Sequence, residues 1–242
     1  MYQLKSRIRY SEIGEDGCLS LTGVINYLQD CSTFHSEDCG VGIHYLDQTR
    51  RAWMLSSWRI LLHRYPEFGE EITVSTWPYG YKGIYAFRNY QMEDARGNCL
   101  VEADSVWVLV CLEDGLPQKI EEAELAPYGE SGPSLSLGER QGKILLPPEY
   151  EMGSPVTISA HHIDTNHHVN NAQYVEIARE AAMIKGPIRW LRAEYKKAAV
   201  LGDVLAPRIS RDEQGVTVAL CNATGRPGAV IRMEKAREEK DD

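Results

Sequence analysis

The stretch AHHIDTNHHVNNAQYVEIAREAAMIKG, residues 160–186, gathers four histidines, one aspartate and three asparagines into its first dozen positions. It then changes character. Ala172, Val175, Ala178, Ala181 and Ala182 recur at helical spacing and predict an inward helix face. Asn170 or Asn171 is the expected N-cap, with Gln173 placed as in a capping box. Gly186-Pro187 predicts the stop. Ahead of the helix, Asp164, Asn166 and His168 alternate at i, i+2, i+4. An extended segment would set all three on one side. They would then lie just before a helix N-terminus, whose outward N–H groups favour negative charge and can stabilise a developing oxyanion.

The same residues admit two other readings. Asn and Asp are common turn formers, so the group could simply cap a helix and tie a loop. His161, His162, His167 and His168 could ligate a metal, but no HxxxH or HxH spacing joins them, and no metal is expected. A serine or cysteine hydrolase is disfavoured: there is no GxSxG elbow, and no cysteine is marked by its neighbours as reactive.

Outward from this stretch, the chain reads as one unit written twice. Residues 2–10 alternate, with Tyr2, Leu4, Ile8 and Tyr10 opposite Lys5, Arg7 and Arg9, as in a strand. The run 16–34 spaces Leu21, Val24, Ile25 and Leu28 as a helix face. Four strand-like runs follow at 53–65, 70–81, 84–93 and 99–112, with turns at DARGN and EDGLPQ. Residues 121–148 cluster Pro, Gly and Ser and predict a connector. A strand near 154–160, the polar loop, a helix and strands near 188–198, 203–210 and 215–223 then repeat the order. The boundaries expected are 1–127, a linker at 128–148, a second unit at 149–234 and a charged, disordered tail at 235–242.

Sliding the sequence supports a duplication. At an offset of 133, Trp58-Arg59 meets Leu191-Arg192, Gly69-Glu70 meets Gly202-Asp203 and Ile72 meets Leu205. At an offset of 150, Ile13 meets Ile163, Leu19 meets Val169 and Ile25 meets Val175. The offsets differ because the first half carries about 17 more residues between its helix and next strand. Gly14, Asp16 and Cys18 then face Asp164, Asn166 and His168, so only the second copy carries the polar triplet.

The totals set limits. The chain has 242 residues and a formal net charge of −9, which argues against nonspecific nucleic-acid binding. No apolar run is long enough to span a bilayer. The first residues show no export signal, so a cytoplasmic protein is expected. Six cysteines without CxxC spacing are expected to be free thiols, several of them buried.

DTNHHVNNAQY, residues 164–174, resembles the D-x-N-x-H-V-N-N-x-x-Y motif of the acyl-acyl-carrier-protein (acyl-ACP) thioesterases, which end fatty-acid synthesis. WRILLHRYPEFGEEITVSTWP, residues 58–78, resembles that family's first-half strand pair. RNYQMEDARGN with SVWVLV resembles the strands that follow, and the likeness runs from about residue 3 to about 210. It implies an α+β tandem hot-dog, each half an antiparallel sheet wrapped around a long helix. It also implies hydrolysis of a thioester between a fatty acyl chain and the phosphopantetheine arm of acyl carrier protein, with no cofactor. The resemblance assigns catalysis to Asp164, as base or nucleophile, with Asn166 and His168 positioning and assisting proton transfer. Substrate binding falls to Asn170, Asn171 and Tyr174 in the second half. Leu28, Trp53, Met54 and Trp58 are the expected acyl-chain lining in the first. Arg50-Arg51 and Lys196-Lys197 are the basic pairs available to an acidic carrier. Plant members carry Glu-Cys after an EYRR-like strand; here those places are Ala198 and Ala199. Any water-activating role of that Glu is missing or moved, and Glu194 is the nearest carboxylate in sequence. An acyl-CoA thioesterase and a noncatalytic acyl-thioester binder share the fold. A monomer or a homodimer fits a tandem pair.

Overall fold

A computed structural model describes residues 1–138 and 142–235. The chain divides into two compact units between residues 140 and 141. The first contains β1 (Tyr2–Arg7), α1 (Leu21–Asp38), α2 (Ile43–Gln48), β2 (Arg51–Leu62), β3 (Glu71–Lys82), β4 (Tyr85–Asp94), β5 (Cys99–Cys111) and α3 (Glu122–Leu125). Its strands lie in the order β1-β3-β4-β5-β2, every neighbour antiparallel.

The second unit contains β6 (Glu151–Met152), β7 (Val156–Thr157), α4 (Asn171–Ala181), β8 (Ile188–Tyr195), β9 (Val204–Arg211), β10 (Gly215–Cys221) and β11 (Pro227–Lys235). Its order is β8-β11-β10-β9-β6, again antiparallel, with β7 also on β9. The two orders are the same when β2 is matched to β8, β5 to β11, β4 to β10 and β3 to β9.

Helix α1 forms where Ser20 Oγ accepts the Gly23 N–H at 3.0 Å and satisfies one orphan donor of the first turn. Its buried face includes Leu21, Val24 and Ile25, Leu28, Cys31 and His35, recurring at helical spacing. Cys31 Sγ lies 3.3 Å from the Val74 carbonyl of β3, so this face packs on the sheet. Helix α4 repeats the device: Asn170 Oδ1 accepts the Ala172 N–H at 2.8 Å. Its buried face is Ala172, Tyr174, Val175, Ile177 and Ala178. Ala181, expected inward, is only half-buried, and the helix ends there rather than at Gly186-Pro187.

Four further points bear on the expectations. Tyr10 is not on the strand: β1 ends at Arg7, and Tyr10 opens a 3-10 turn with its ring 80% exposed. β11 lies in a segment from which no strand was expected. It is central to its sheet, and Ala229, Val230, Ile231 and Met233 are buried. The expected connector is packed down. Trp77 Nε1 donates to the Pro133 carbonyl at 2.7 Å, the Leu135 N–H donates to Asn89 Oδ1 at 2.8 Å, and Tyr128 and Leu137 are buried. Of the tail expected at 235–242, Lys235 closes β11 and residues 236–242 lie outside the described residues. All six cysteines are free thiols; Cys31 and Cys221 are buried.

A buried basic cluster lies under α1. Arg88 Nη1 donates to His35 Nδ1 at 3.0 Å, Tyr2 stacks on the imidazole at 5.0 Å, and the guanidinium covers the Tyr128 ring at 4.9 Å. Burial first, and then the Arg88 charge, hold the His35 pKa down to about 4. In the unfolded chain His35 titrates at about 6.5. Between these values the unfolded state binds the extra proton and the native state does not. Stability from His35 is therefore complete above about pH 6.5 and is lost as pH falls toward about 4, on the order of 3 kcal/mol over the whole window. Urea unfolding at about pH 7.5 and about pH 5 is expected to show a larger loss in wild type than in His35→Gln. Equal losses would remove His35 from the acid response.

Candidate active site

The polar triplet does not sit on an extended segment. Ile163 and Val169 form a β-bridge, and between them the chain closes into a tight turn. The Asp164 N–H donates to the His168 carbonyl at 2.8 Å, and the His167 N–H to the Asp164 carbonyl at 3.1 Å. Asp164 Oδ1 accepts the backbone N–H of Asn166 at 2.8 Å and, more weakly, that of His168 at 3.4 Å. This is Asx-turn chemistry. It overrides the alternation, because residues two apart share a side only when the backbone is extended. Asp164 and His168 are half-buried and Asn166 is exposed. His168 Nδ1 is buried and has no hydrogen-bond partner among the described residues, which is costly unless a ligand or water meets it.

The matching turn in the first unit has the same backbone. Ile13 bridges Leu19, the Gly14 N–H donates to the Cys18 carbonyl, and the Gly17 N–H donates to the Gly14 carbonyl. Each turn is flanked by a 3-10 turn before it and a capped helix after it: Tyr10–Glu12 and Ser20 in one, Ala160–His162 and Asn170 in the other. Even the anchor of the following residue repeats. The Leu19 N–H donates to the Pro66 carbonyl and the Val169 N–H to the Ala199 carbonyl, which is the 133-residue offset again. The copies differ in side chains. Gly17 holds φ +76, as glycine can without penalty; its counterpart His167 holds φ +60. A non-glycine residue there stores local strain. The second copy thus carries an aspartate, an asparagine and two histidines on a backbone that the first copy builds with Gly14, Asp16, Gly17 and Cys18.

The neighbouring polar groups are mostly engaged in holding this turn. His162 Nδ1 accepts the Ser159 N–H at 3.0 Å, and His161 Nδ1 is 3.1 Å from Ser159 Oγ. Asn170 spends its side-chain oxygen on the helix cap. The Asn171 carbonyl accepts the Tyr195 hydroxyl at 3.0 Å. Tyr174 is buried, and its hydroxyl accepts the Ala199 N–H at 2.7 Å. Through Ala199, Tyr174 therefore supports Val169, next to His168. Tyr174→Phe leaves that buried N–H without its acceptor and is expected to cost about 1–3 kcal/mol, read by urea unfolding. A raised KM with unchanged stability would instead make Tyr174 a direct substrate contact.

Glu194 is not a spare carboxylate. Its Oε1 accepts the Ile144 N–H at 2.7 Å, anchoring the end of the connector, and Lys196 lies 3.6 Å away. Ala199 is buried and Ala198 half-buried. Neither is a carboxylate or a thiol, so the Glu-Cys pair that the resemblance implies for plant members has no counterpart at these two positions.

In the first unit, a shallow cleft is lined by Val41, Leu46, Trp53, Leu109 and Tyr128, together with the Arg51–Glu124 ion pair at 3.2 Å. Of the expected acyl-chain lining, Trp53 borders it. Leu28 and Trp58 are wholly buried, Trp58 against Tyr90 at 5.0 Å, and Met54 is half-buried without lining this cleft. The basic pairs are largely neutralised in place: Arg50 is 3.9 Å from Asp47, Arg51 pairs with Glu124 and Lys196 with Glu194. No described helix is long and apolar enough to cross a membrane.

Two antiparallel sheets, each carrying a long helix capped at the same place, define a tandem hot-dog protein of the α+β class. Residues 1–128 match the family model described as the acyl-ACP thioesterase N-terminal domain, and the chain belongs to this family. An acyl-[acyl-carrier-protein] hydrolase of Cuphea viscosissima is 28% identical over 182 residues, covering 69% of this chain and 44% of that protein. A palmitoyl-acyl carrier protein thioesterase of Arabidopsis thaliana is 27% identical over 216 residues, covering 82% of this chain and 52% of that one. The chain thus spans about half the length of the curated relatives it matches. A crystal structure of an acyl-ACP thioesterase from Bacteroides thetaiotaomicron superposes with a TM-score of 0.86 at 22% identity, covering 96% of each chain. The 12:0-ACP thioesterase from Umbellularia californica gives 0.80 at 20% identity, again over 96% of each. At these identities the superpositions establish the fold.

Proposed function

We propose that this protein hydrolyses fatty acyl thioesters carried on the phosphopantetheine arm of acyl carrier protein, releasing free fatty acid. The observation that carries this reading is the asymmetry between two matched turns. One backbone is built twice, and only the second copy sets a carboxylate at the turn's first position together with an amide and an imidazole whose buried ring nitrogen has no partner among the described residues; the first copy has Gly14, Asp16 and Cys18 there. Fold maintenance explains the repeated hydrogen bonds but not that difference.

Asp164 keeps Oδ1 on the backbone of its own turn. We assign its carboxylate the reaction with the thioester carbonyl, either activating water or attacking directly. A thiolate is a good leaving group, so one well-placed carboxylate suffices where an amide would need more. Asn166, the most exposed of the three, positions the carbonyl or the water. His168 assists the departing thiolate. With alanines at 198 and 199, no second carboxylate comes from the neighbouring strand end, and the general-base role rests on Asp164. The acyl chain is assigned to the first unit, where Trp53 of the expected lining borders a shallow cleft.

The test is thiol release from acyl-ACP and acyl-CoA across chain lengths. Release from long-chain acyl-ACP with the higher kcat/KM is expected. A higher kcat/KM on acyl-CoA would move the assignment to that carrier, and tight binding without release would make the protein a binder. Trp53→Ala is expected to shift the released products toward longer chains; an unchanged profile would place the chain elsewhere.

A further inference from the structure

Three metal-ligating side chains meet on the first unit, away from the histidine-rich turn in sequence and in unit. His63 directly follows β2, and its Nε2 lies 3.1 Å from Glu102 Oε2 on β5. The backbone sets this up. Leu61 pairs with Glu102 and Leu62 with Val101, and the His63 N–H donates to the Leu100 carbonyl at 2.9 Å. Cys99 and Glu102 are three residues apart, so a regular strand would turn them to opposite faces. The β4–β5 ladder breaks here: Met92 pairs with Val101 but Glu93 pairs with Cys99, leaving Leu100 as the extra residue of a bulge. The bulge re-aims Cys99 to the side of Glu102, while Leu100 is 1% exposed in the core.

As a result one donor atom from each of His63, Cys99 and Glu102 lies within 4.8 Å of the other two. Among the described residues this is the group that gathers three such donors; none of the four histidines at 161–168 joins one. Zinc bonds of about 2.0–2.3 Å place tetrahedral ligands roughly 3.3–3.8 Å apart. Side-chain rotation at the partly exposed His63 and Glu102 can close the difference, since their side chains are 35% and 26% accessible. The thiol makes a 3.7 Å contact to the Val101 carbonyl. A thiolate and an imidazole together select a borderline-soft ion rather than magnesium or calcium.

We propose that His63 Nε2, Cys99 Sγ and Glu102 form a three-ligand zinc site, with water as the fourth ligand, tying the end of β2 to the bulge of β5. This inference stands apart from the hydrolase reading, and its test needs no substrate. The full chain, stripped with chelator, is titrated with Co²⁺ and then competed with Zn²⁺. One equivalent of Co²⁺ with a thiolate-to-metal charge-transfer band, displaced by Zn²⁺, is expected. Zn²⁺ should also slow alkylation of Cys99, located by peptide mapping, relative to the other five cysteines. Cys99→Ser should abolish the band, and His63→Ala should weaken Zn²⁺ binding at least about tenfold. The absence of a thiolate band, alkylation of Cys99 indifferent to Zn²⁺, or binding that survives both variants and is lost in His161→Ala would each overturn the site. The first two readouts use the unaltered protein, so a variant that fails to fold does not shield the proposal.

Discussion

Asp164→Asn is expected to lower kcat for acyl-ACP hydrolysis by about 10²–10⁴-fold, the range for loss of a general acid–base group, with melting and circular dichroism unchanged. The substitution separates two jobs that the wild-type side chain performs at once. Oδ1 caps the turn by accepting the Asn166 and His168 N–H groups. An asparagine carbonyl oxygen does the same, so the turn survives. What disappears is the negative charge and with it the ability to accept a proton or attack a carbonyl. Asp164→Ala removes both functions and would confuse them. Asp16 offers a control from the matched turn, where its Oδ1 accepts the Cys18 N–H at 3.0 Å. Asp16→Asn should leave turnover unchanged. Full activity in Asp164→Asn would take Asp164 out of the mechanism. If activity is lost, single turnover in ¹⁸O-water divides the remaining routes. Label found in the Asp164 carboxylate supports an acyl-aspartate intermediate opened at the aspartyl carbonyl, whereas label found only in the fatty acid fits activated water or an anhydride opened at the fatty acyl carbonyl.

Much of this site could be read from the residues alone, and the part that could not has a physical cause. The duplication was visible because a few apolar positions must face the core in each copy. The Ile13/Leu19 and Ile163/Val169 bridges fall where the 150-residue offset placed them. The side-chain difference between the two turns is legible directly from the residues the offset aligns. The shape of the turn was not, because i, i+2 alternation cannot distinguish a strand from a turn in which an aspartate captures its own backbone. β11 was missed because its apolar run is short and abuts charge. The packed connector was missed because its partners are distant in sequence: Leu135 meets Asn89, and Trp77 meets Pro133. Tyr174 resembled a motif residue in contact with substrate. Its 2.7 Å bond to Ala199 gives it a supporting role that no local pattern encodes.

The largest stability effect is expected at a pair that the sequence shows only as scattered charges. Arg59 and Asp104 face each other across β2 and β5, with side chains 12% and 5% accessible. Arg59 Nη1 lies 3.7 Å from Asp104 Oδ2, and the Tyr79 hydroxyl donates to Asp104 Oδ1 at 2.6 Å. Arg59 also donates to the carbonyls of Leu137 and Gly138, so the same guanidinium holds the connector against the sheet. Asp104→Ala removes the carboxylate facing a buried cation and deprives the Tyr79 hydroxyl of that acceptor. Breaking a buried pair from one side costs about 3–5 kcal/mol, which for a chain of this length lowers Tm by on the order of 10 °C. Asp104→Asn keeps an acceptor for Tyr79 and should cost less. Replacing both partners, as Arg59→Met with Asp104→Leu, removes the stranded charge along with its counterion, and such swaps are often close to neutral. Urea unfolding of the three variants should therefore rank the single alanine lowest, the asparagine between, and the double apolar variant nearest wild type. If the double variant is as unstable as Asp104→Ala, the loss comes from packing or from the freed connector, and electrostatic stranding is not its cause.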